Sequence, residues 1–436
     1  MNHLPRRTAA ALAAVLAAGV ALTGCSSTSS TATAASGSSA SSVAAAPSPS
    51  PLSSAPPSVA PSSGAASSGT ASSGAASSGT ASSASATPAT LKGVCPDTVS
   101  IQTDWNPESE HGGLYQLIGP NPTIDSDKKR VSGELYSQGK DMGIKFEVRS
   151  GGPAIGFQTV TSQLYSDKGL TMGYVNTDEA IQLSAKQPTI AVFAPLEKNP
   201  QMIMWDPATY PDVKTIADLK AKNVKVRYFS GAAYMAYLIG AGVLNASQTD
   251  GSYDGTPANF VAAQGKDAQQ GFASAEPYIY SHEIKAWNKP VNFQLVHDAG
   301  YPIYAAAYSV RTADLASMTP CLKLLVPIFQ HAQVDYVEKP AAADALILQL
   351  VKQFNTGWQY DQGVADFAVK QQLALGLVSN GSNTTLGDFD LTRIQKVLTI
   401  DTPIFAKQKT APLAGLTPAK LATNEFIDMS IGLPKG

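Results

Sequence analysis

The stretch Val99–Gln116, VSIQTDWNPESEHGGLYQ, contains the pattern that decides the fold. Its first residues, VSIQT, alternate apolar and polar side chains, which is typical of a strand that enters a core. The residues that follow bring together a Trp, an Asn, two Glu, a His and a Gly pair. This mixture leaves three alternatives open: a catalytic site, a ligand-binding loop, or a polar turn.

Short apolar runs of strand type recur along the chain, separated by segments with helical spacing. They lie at 99–103, 144–148, 170–175, 188–195, 201–205, 224–229, 291–296 and 303–310. Between the second and third runs, Phe157, Val160 and Leu164 fall on one helical face. Thr215 stands three residues before Asp218, which is a capping-box pattern at a helix start. Strands that alternate with helices predict an α/β chain with mainly parallel sheets.

The N-terminal region has the layout of an export signal followed by a tether. Arg6 and Arg7 precede an apolar run that ends in LTGC at Cys25, which resembles a bacterial lipobox. We therefore expect residues 1–25 to be a lipoprotein signal peptide, and the alternative is an ordinary signal peptide with an incidental Cys. Residues 26–90 contain no charged side chain and are rich in Ser, Ala, Gly and Pro, which predicts a disordered tether. The protein is thus expected to be extracytoplasmic, lipid-anchored at the outer face of the cell membrane.

The remaining composition limits the class of protein. The formal net charge of −2 argues against a nucleic-acid partner. No nucleophile elbow, phosphate loop or zinc-binding helix motif is present, so we expect no enzyme, metal or cofactor. In an oxidising compartment, Cys95 and Cys321 are predicted to form a disulfide, the alternative being two buried thiols. The part from residue 94 onward exceeds the usual size of one core and indicates two lobes.

Several segments resemble periplasmic binding proteins of the NMT1/THI5-like group. DWNPESEHGGLYQ resembles their first strand, loop and helix, IKFEVRSGGP the second strand with its Gly-rich turn, and GYVNTDEAI the third. PTIAVFAPLEKNPQMIMW is similar to the first crossing between lobes, and GFASAEPYIYSHE to a Glu-Pro segment of lobe 2. The resemblance runs in the same order from Thr98 to about Pro434. Members of the group serve ABC importers of thiamine pyrimidine precursors, riboflavin, sulfonates, taurine and nitrate.

The resemblance implies a type II periplasmic-binding-protein fold, with two α/β lobes of mainly parallel sheets joined by two crossing strands. Residues 94–197 would form the first part of lobe 1 and residues 198–297 would form lobe 2. Residues 298–436 would return to lobe 1 and add the C-terminal helices. Ligand would lie in the cleft between the lobes, because loops after the carboxyl ends of strands are where open α/β sheets bind ligands.

The resemblance also implies a set of cleft residues. They are Trp105, Asn106, His111, Tyr115, Gly151, Gly152, Asn176 and Asp178 from lobe 1, Phe229, Ser230, Gly231 and Glu276 from lobe 2, and Tyr301 from the return crossing. The Trp and Tyr side chains would stack on a planar ligand, and the Asn and His would donate or accept hydrogen bonds. The Gly residues would admit the ligand close to the backbone, and Ser230 would cap a helix. Trp105 has the alternative of a core position, and Glu276 that of an interlobe salt bridge.

Arg and Lys are scarce in the strand-end loops, which favours a neutral or cationic heteroaromatic ligand of pyrimidine or flavin type. The expected partners are a small molecule and the permease and ATPase subunits of an ABC importer, with the binding protein acting as a monomer. Two alternatives stay open: a binding protein for sulfonate, taurine or nitrate anions, and a ligand-sensing surface domain without an importer. Fungal relatives that act as pyrimidine synthases depend on a Cys-rich motif, which this chain lacks.

Overall fold

A computed structural model describes residues 90–434 of the chain, and the expected signal peptide, Cys25 and almost all of the expected tether lie outside these residues. The strands are β1 Thr98–Gln102, β2 Thr123–Asp125, β3 Arg130–Ser137, β4 Lys140–Arg149, β5 Met172–Val175, β6 Thr189–Phe193, β7 Gln201–Trp205, β8 Val226–Arg227, β9 Thr249–Asp250, β10 Ala268–Phe272, β11 Asn292–Leu295 and β12 Ala307–Arg311. The helices are α1 Gly112–Tyr115, α2 Val160–Ser166, α3 Thr177–Leu183, α4 Ile216–Ala221, α5 Ala233–Gly240, α6 Ala258–Ala262, α7 Glu276–Tyr278, α8 Leu315–Glu338, α9 Ala341–Phe354, α10 Gln362–Ala374 and α11 Leu391–Lys407.

The strands form two separate sheets. The first has seven strands in the order β2-β3-β4-β1-β5-β12-β6, and the second has five in the order β11-β7-β10-β8-β9. The chain leaves the first sheet after β6 and returns to it with β12, so the segments 194–200 and 296–306 cross between the two lobes. This is the expected two-lobed α/β architecture of the type II periplasmic-binding-protein fold.

The sheets are mixed, and the expectation of mainly parallel sheets is corrected in this respect. Among the described residues, β1 pairs in parallel with β4 and β5, and β8 with β9 and β10, whereas the other six strand pairs are antiparallel. The antiparallel pairs arise because β2, β3 and β4 form a meander and because β12 re-enters the first sheet from the opposite lobe. The loop after the carboxyl end of β1 nevertheless contacts the second lobe, through the rings of Trp105 and Phe229.

The helix α8 is part of the core of lobe 1. Cys321 at its start is bonded to Cys95, with a Cα–Cα distance of 4.7 Å, and this disulfide joins the helix to the segment before β1. By length and composition the segment Thr312–Glu338 could cross a membrane, but its buried face packs against β6 and α1. A Cβ on Gly112 would lie 2.1 Å from the Tyr336 ring. The Gly pair therefore lets α8 pack closely against α1.

Three local expectations have different outcomes. The capping box of Thr215 and Asp218 is confirmed at the start of α4. The prediction that Ser230 caps a helix is wrong, because α5 begins at Ala233 and its N-cap makes no side-chain hydrogen bond. Phe157 lies before α2 and is 60 % exposed, so it does not belong to the buried helical face predicted for it.

Candidate functional site

Two adjoining cavities lie between the lobes. The first, which we call the acidic compartment, has a volume of about 260 Å³ and is lined by five carboxylate side chains: Asp104, Glu108, Glu110, Asp178 and Glu179. The second, the aromatic compartment, has a volume of about 170 Å³ and is lined by Trp105, Phe229, Tyr253, Phe272 and Trp358 together with Glu108 and Glu276. Within the described part of the chain, no Lys or Arg lines either compartment.

The turn after β1 places two of these carboxylates. Ser109–His111 form a short 3-10 turn, and the Ser109 N–H donates to the Tyr360 hydroxyl at 2.9 Å. On this turn Glu108 and Glu110 face the cleft, although they are only 2 % and 3 % exposed. The Ser274 hydroxyl of lobe 2 donates to Glu110 Oε1, so this carboxylate also connects the two lobes.

Three residues expected in the cleft lie elsewhere. His111 Nε2 is 2.9 Å from Asp104 Oδ1, and its ring packs edge-on against the Tyr174 ring. Asn106 Oδ1 accepts a hydrogen bond from the Thr356 hydroxyl at 2.8 Å. Tyr115 is buried and lines a different cavity, next to α9. None of the three lines the acidic or the aromatic compartment.

Trp105 is half-buried and lines the aromatic compartment, as expected. The glycines expected to approach the ligand support this indole instead. The Gly151 N–H donates to Trp105 O at 2.8 Å, and the Gly152 N–H donates to Asp104 O at 2.9 Å. A Cβ on Gly152 would lie 2.7 Å from Trp105 Cε3, and its φ is +55°. Only a glycine leaves room for the indole in this position.

Aromatic rings surround Trp105 on several sides. Its ring centroid lies 5.9 Å from that of Phe157, 6.3 Å from Phe229 and 6.2 Å from Trp358, and Phe229 lies 4.8 Å from Tyr253. We call these five side chains the ring cluster. Trp105 and Phe157 belong to lobe 1, Phe229 and Tyr253 to lobe 2, and Trp358 to the loop before α10. The sequence pattern identified Trp105 and Phe229 but missed the other three as site residues.

Phe157 is unusual in two respects. It is 60 % exposed at the edge of the ring cluster, and its backbone has a φ of +58°. A bulky residue in the left-handed region carries a conformational cost, and such residues concentrate at functional sites. An exposed aromatic ring with a strained backbone beside a cleft is therefore a candidate ligand contact.

The lobe 2 wall centres on Gln270 and Glu276. Gln270 Oε1 accepts from the Phe229 N–H at 2.6 Å and from the Tyr234 hydroxyl at 2.8 Å. Glu276 accepts from the Phe272 N–H at 2.7 Å and has no ion pair within residues 90–434, so the interlobe salt bridge is absent there. Gly231 lines the acidic compartment, whereas Ser230 lines neither compartment.

Two of the expected residues line the cleft at α3, and a third, Tyr301, lies behind them. Asn176 and Asp178 line the acidic compartment, and Asn176 Oδ1 accepts from the Ala306 N–H at 2.9 Å. Tyr301 is fully buried and lines neither compartment. Its hydroxyl lies 2.8 Å from Asp401 Oδ1 and 3.3 Å from Asp178 Oδ2. Tyr301 therefore supports the cleft wall through its contact with Asp178.

The carboxyl groups of the cleft are electrostatically unfavourable in their ionised form. Burial raises the pKa of Glu108 well above its usual value, and the negative charges of Glu110, Asp104 and Glu276 raise it further. Burial also raises the pKa of Glu110, in spite of the hydrogen bond from Ser274. The pKa of Glu276 is raised by burial to about 7. An approaching positive charge would relieve this repulsion.

Fold and site together define a two-lobed α/β architecture with an acidic and aromatic cleft between the lobes. No family model matches the chain, and no curated protein matches it. Among solved structures, the chain is similar to the periplasmic aliphatic sulphonate-binding protein SsuA from Escherichia coli, with 15 % identity and a TM-score of 0.48 over 78 % of this chain and 95 % of that chain. It is similar to the alkanesulfonate-binding protein SsuA from Xanthomonas axonopodis pv. citri, with 12 % identity and a TM-score of 0.46 over 75 % and 99 % of the two chains. An ABC transporter protein from Parabacteroides distasonis shows 11 % identity and a TM-score of 0.43 over 76 % and 99 %.

Proposed function

We propose that the protein is the solute-binding component of an ABC importer, anchored outside the cell membrane by a lipid on Cys25. It captures a small organic molecule in the interlobe cleft and delivers it to a permease as a monomer. The observation that carries this proposal is the lining of the cleft, where aromatic rings and carboxylates converge from both lobes. Ligand pockets are typically apolar and aromatic with a few fixed polar groups.

Closure of the lobes on the ligand follows from the position of these groups. Trp105 and Phe229 belong to opposite lobes, and a ligand held between their rings contacts both lobes only when they are close. A ligand shifts the equilibrium toward the closed form by its higher affinity for that form. The cleft therefore supports capture by hinge closure without a chemical step.

The charge of the cleft favours a neutral or cationic heteroaromatic ligand, pyrimidine-like or flavin-like, over a sulfonate, taurine or nitrate. An anion in this cleft would meet several carboxylates, and within residues 90–434 no Lys or Arg side chain lines the cleft to compensate them. Anion sites usually contain Arg, Lys or clustered backbone N–H groups. A sensing role without an importer has the same ligand chemistry and differs only in its partner.

The test is a thermal-shift and calorimetric panel on the full chain, with aminopyrimidines, riboflavin, organic ammonium compounds, sulfonates, taurine and nitrate. We expect a neutral or cationic compound to raise the melting temperature in proportion to RT ln(1 + [L]/Kd). Trp105→Ala should abolish that shift and keep a cooperative unfolding transition. A shift produced only by sulfonates or nitrate would overturn the ligand class, and no shift with any compound would overturn solute capture.

A further inference from the structure

Glu108 is a buried carboxylate without a hydrogen-bond partner in the described part of the chain. Its side chain is 3 % exposed, and the nearest ion-pair partner, His111 Nε2, lies 3.9 Å away, beyond hydrogen-bond distance. Glu108 lines both the acidic and the aromatic compartments. Burying an ionised carboxylate without partners is costly, so native proteins normally pair such a group. The position of Glu108 thus indicates a partner that comes from the cleft.

Two further carboxylates lie around Glu108, and they come from both lobes. Glu110 of lobe 1 accepts from the Ser274 hydroxyl, and Glu276 of lobe 2 accepts from the Phe272 N–H. Both interact electrostatically with Glu108. We call Glu108, Glu110 and Glu276 the carboxylate cluster. Closing the lobes brings these like charges together, and only a positive charge or bound protons can offset their repulsion.

The titratable groups that face Glu108 from the neighbouring elements leave it without a full counter-charge. Asp104 adds negative charge from the same loop, and the hydroxyls of Tyr115 and Tyr360 face it from α1 and from the loop before α10. Among the described residues near Glu108, His111 is the one group that can carry positive charge, and its Nε2 is already 2.9 Å from Asp104 Oδ1. Glu276 faces the hydroxyls of two further residues, Tyr253 and Tyr280.

The ring cluster lies directly beside Glu108. Glu108 and Phe229 line both compartments, so the two compartments adjoin at these side chains. Trp105 has three aromatic neighbours at centroid distances of 5.9–6.3 Å, and the Trp358 indole N–H is buried without a hydrogen-bond partner in the described structure. Aromatic faces attract organic cations, and Trp does so most strongly.

We propose that the ligand is an organic cation, whose ammonium group binds the carboxylate cluster and whose aromatic or methylated part lies against the ring cluster. This inference rests on the proposed function, since it takes the interlobe cleft as the ligand site. A metal ion is a poorer fit, because the described residues contain no group of three or more His, Cys, Asp or Glu placed to hold one. Cation binding also favours closure of the lobes, because the cation bridges Glu108 of lobe 1 and Glu276 of lobe 2.

Binding of a cation is coupled to proton release. Burial raises the pKa values of Glu108, Glu110 and Glu276, so protons compete with a cation for these carboxylates. A cation binds their ionised form, so its affinity increases as the pH rises toward and through these pKa values. A neutral ligand of the same shape would show no such increase.

The experiment measures the affinity of the full chain for phenethylammonium and choline by calorimetry, and compares each with its neutral isostere, phenethyl alcohol or dimethylbutanol. We expect each cation to bind at least about tenfold more tightly than its isostere, which is about 1.4 kcal/mol. The cation affinity should rise between about pH 5 and about pH 8, with protons released to the buffer. Equal affinities for cation and isostere would overturn the inference.

Glu108→Gln removes the charge and keeps the shape of the side chain. We expect it to weaken cation binding at least about tenfold and to change the affinity for the neutral isosteres by less than about threefold. The exposed Glu134→Gln is the matched control and should behave as the wild type. Unfolding transitions measured in parallel establish that the variants are folded. Cation binding unaffected by Glu108→Gln would overturn the assignment of this carboxylate.

The proposed function and this inference fail in different ways. If riboflavin or an aminopyrimidine binds and the organic cations do not, solute capture stands and the cation inference is wrong. If no compound of either panel binds, and native mass spectrometry of the purified chain finds no small molecule, then both are wrong. A cation found by that mass measurement supports both.

Discussion

Replacing Glu276 by Gln is expected to remove part of the pH dependence of stability in the unliganded protein. Burial raises the pKa of Glu276 from 4.5 to about 7 in the folded chain, and the charge of Glu110 adds to the rise. The folded state therefore binds this proton more tightly than the unfolded state. The resulting stabilisation is complete below 4.5 and is lost as the pH rises through about 7.

The magnitude follows from the size of the pKa change. A rise from 4.5 to about 7 corresponds to about 3 kcal/mol at about 1.4 kcal/mol per pKa unit. Part of the Glu276 side chain reaches solvent, which screens the effect, so we expect about 1–2 kcal/mol. Between about pH 5 and about pH 8, the wild type should lose that much more free energy of unfolding than Glu276→Gln.

The assay is urea denaturation of the full chain at both pH values, with the exposed Glu134→Gln as control. Glu134→Gln should retain the pH dependence of the wild type, because its side chain lies outside the cleft. If Glu276→Gln and the wild type lost the same free energy of unfolding between the two pH values, the reasoning about the buried carboxylates would be refuted.

Three further changes test the supports of the cleft. Gly152→Ala places a Cβ 2.7 Å from Trp105 Cε3, so the affinity for ligand should fall at least about tenfold in a titration, and full affinity would contradict the role of this glycine. Replacing Cys95 and Cys321 by Ser opens a loop of 226 residues and should lower the free energy of unfolding in urea by about 2–5 kcal/mol, so an unchanged midpoint would count against the disulfide. Phe157→Gly relieves a φ of +58° and should change the free energy of unfolding by less than about 1 kcal/mol. It should lower the affinity for ligand about threefold, and undiminished affinity would exclude this ring from the site.

The two-lobed fold could be predicted because its main strands are apolar runs. The strands β5, β6 and β7 lie inside the predicted segments, and β1 begins one residue before its predicted segment, since buried strands read as short hydrophobic stretches. The strand β10, AQQGF, was missed because its sequence is polar. Gln269 is fully buried there, and its side chain donates to the Tyr280 hydroxyl at 2.7 Å. Gln269 Nε2 is paired by a tertiary contact, and such contacts leave no local pattern in the sequence.

The predicted site and the cavity linings share the stretch after β1 but differ in individual residues. Within DWNPESEHGG, the sequence favoured Asn106 and His111, whereas Glu108 and Glu110 face the cleft. The orientation depends on the 3-10 turn, which is held by a hydrogen bond from Ser109 to Tyr360, 251 residues later. Because this contact is so distant in the chain, the spacing within the stretch cannot predict which side chains face the cleft.

The composition of that stretch did contain a usable signal. Acidic residues close to a Trp at the end of a buried strand bring negative charge to a site where aromatic rings also converge. In a core that only stabilised the fold, the position of Glu108 would favour an apolar side chain, because a buried carboxylate without a partner costs free energy. Glu108 lies on the wall that both compartments share. We therefore infer that the molecule that enters the cleft offsets the cost of this carboxylate. The same carboxylates that weaken the unliganded protein as the pH rises would therefore be those that hold a cationic ligand.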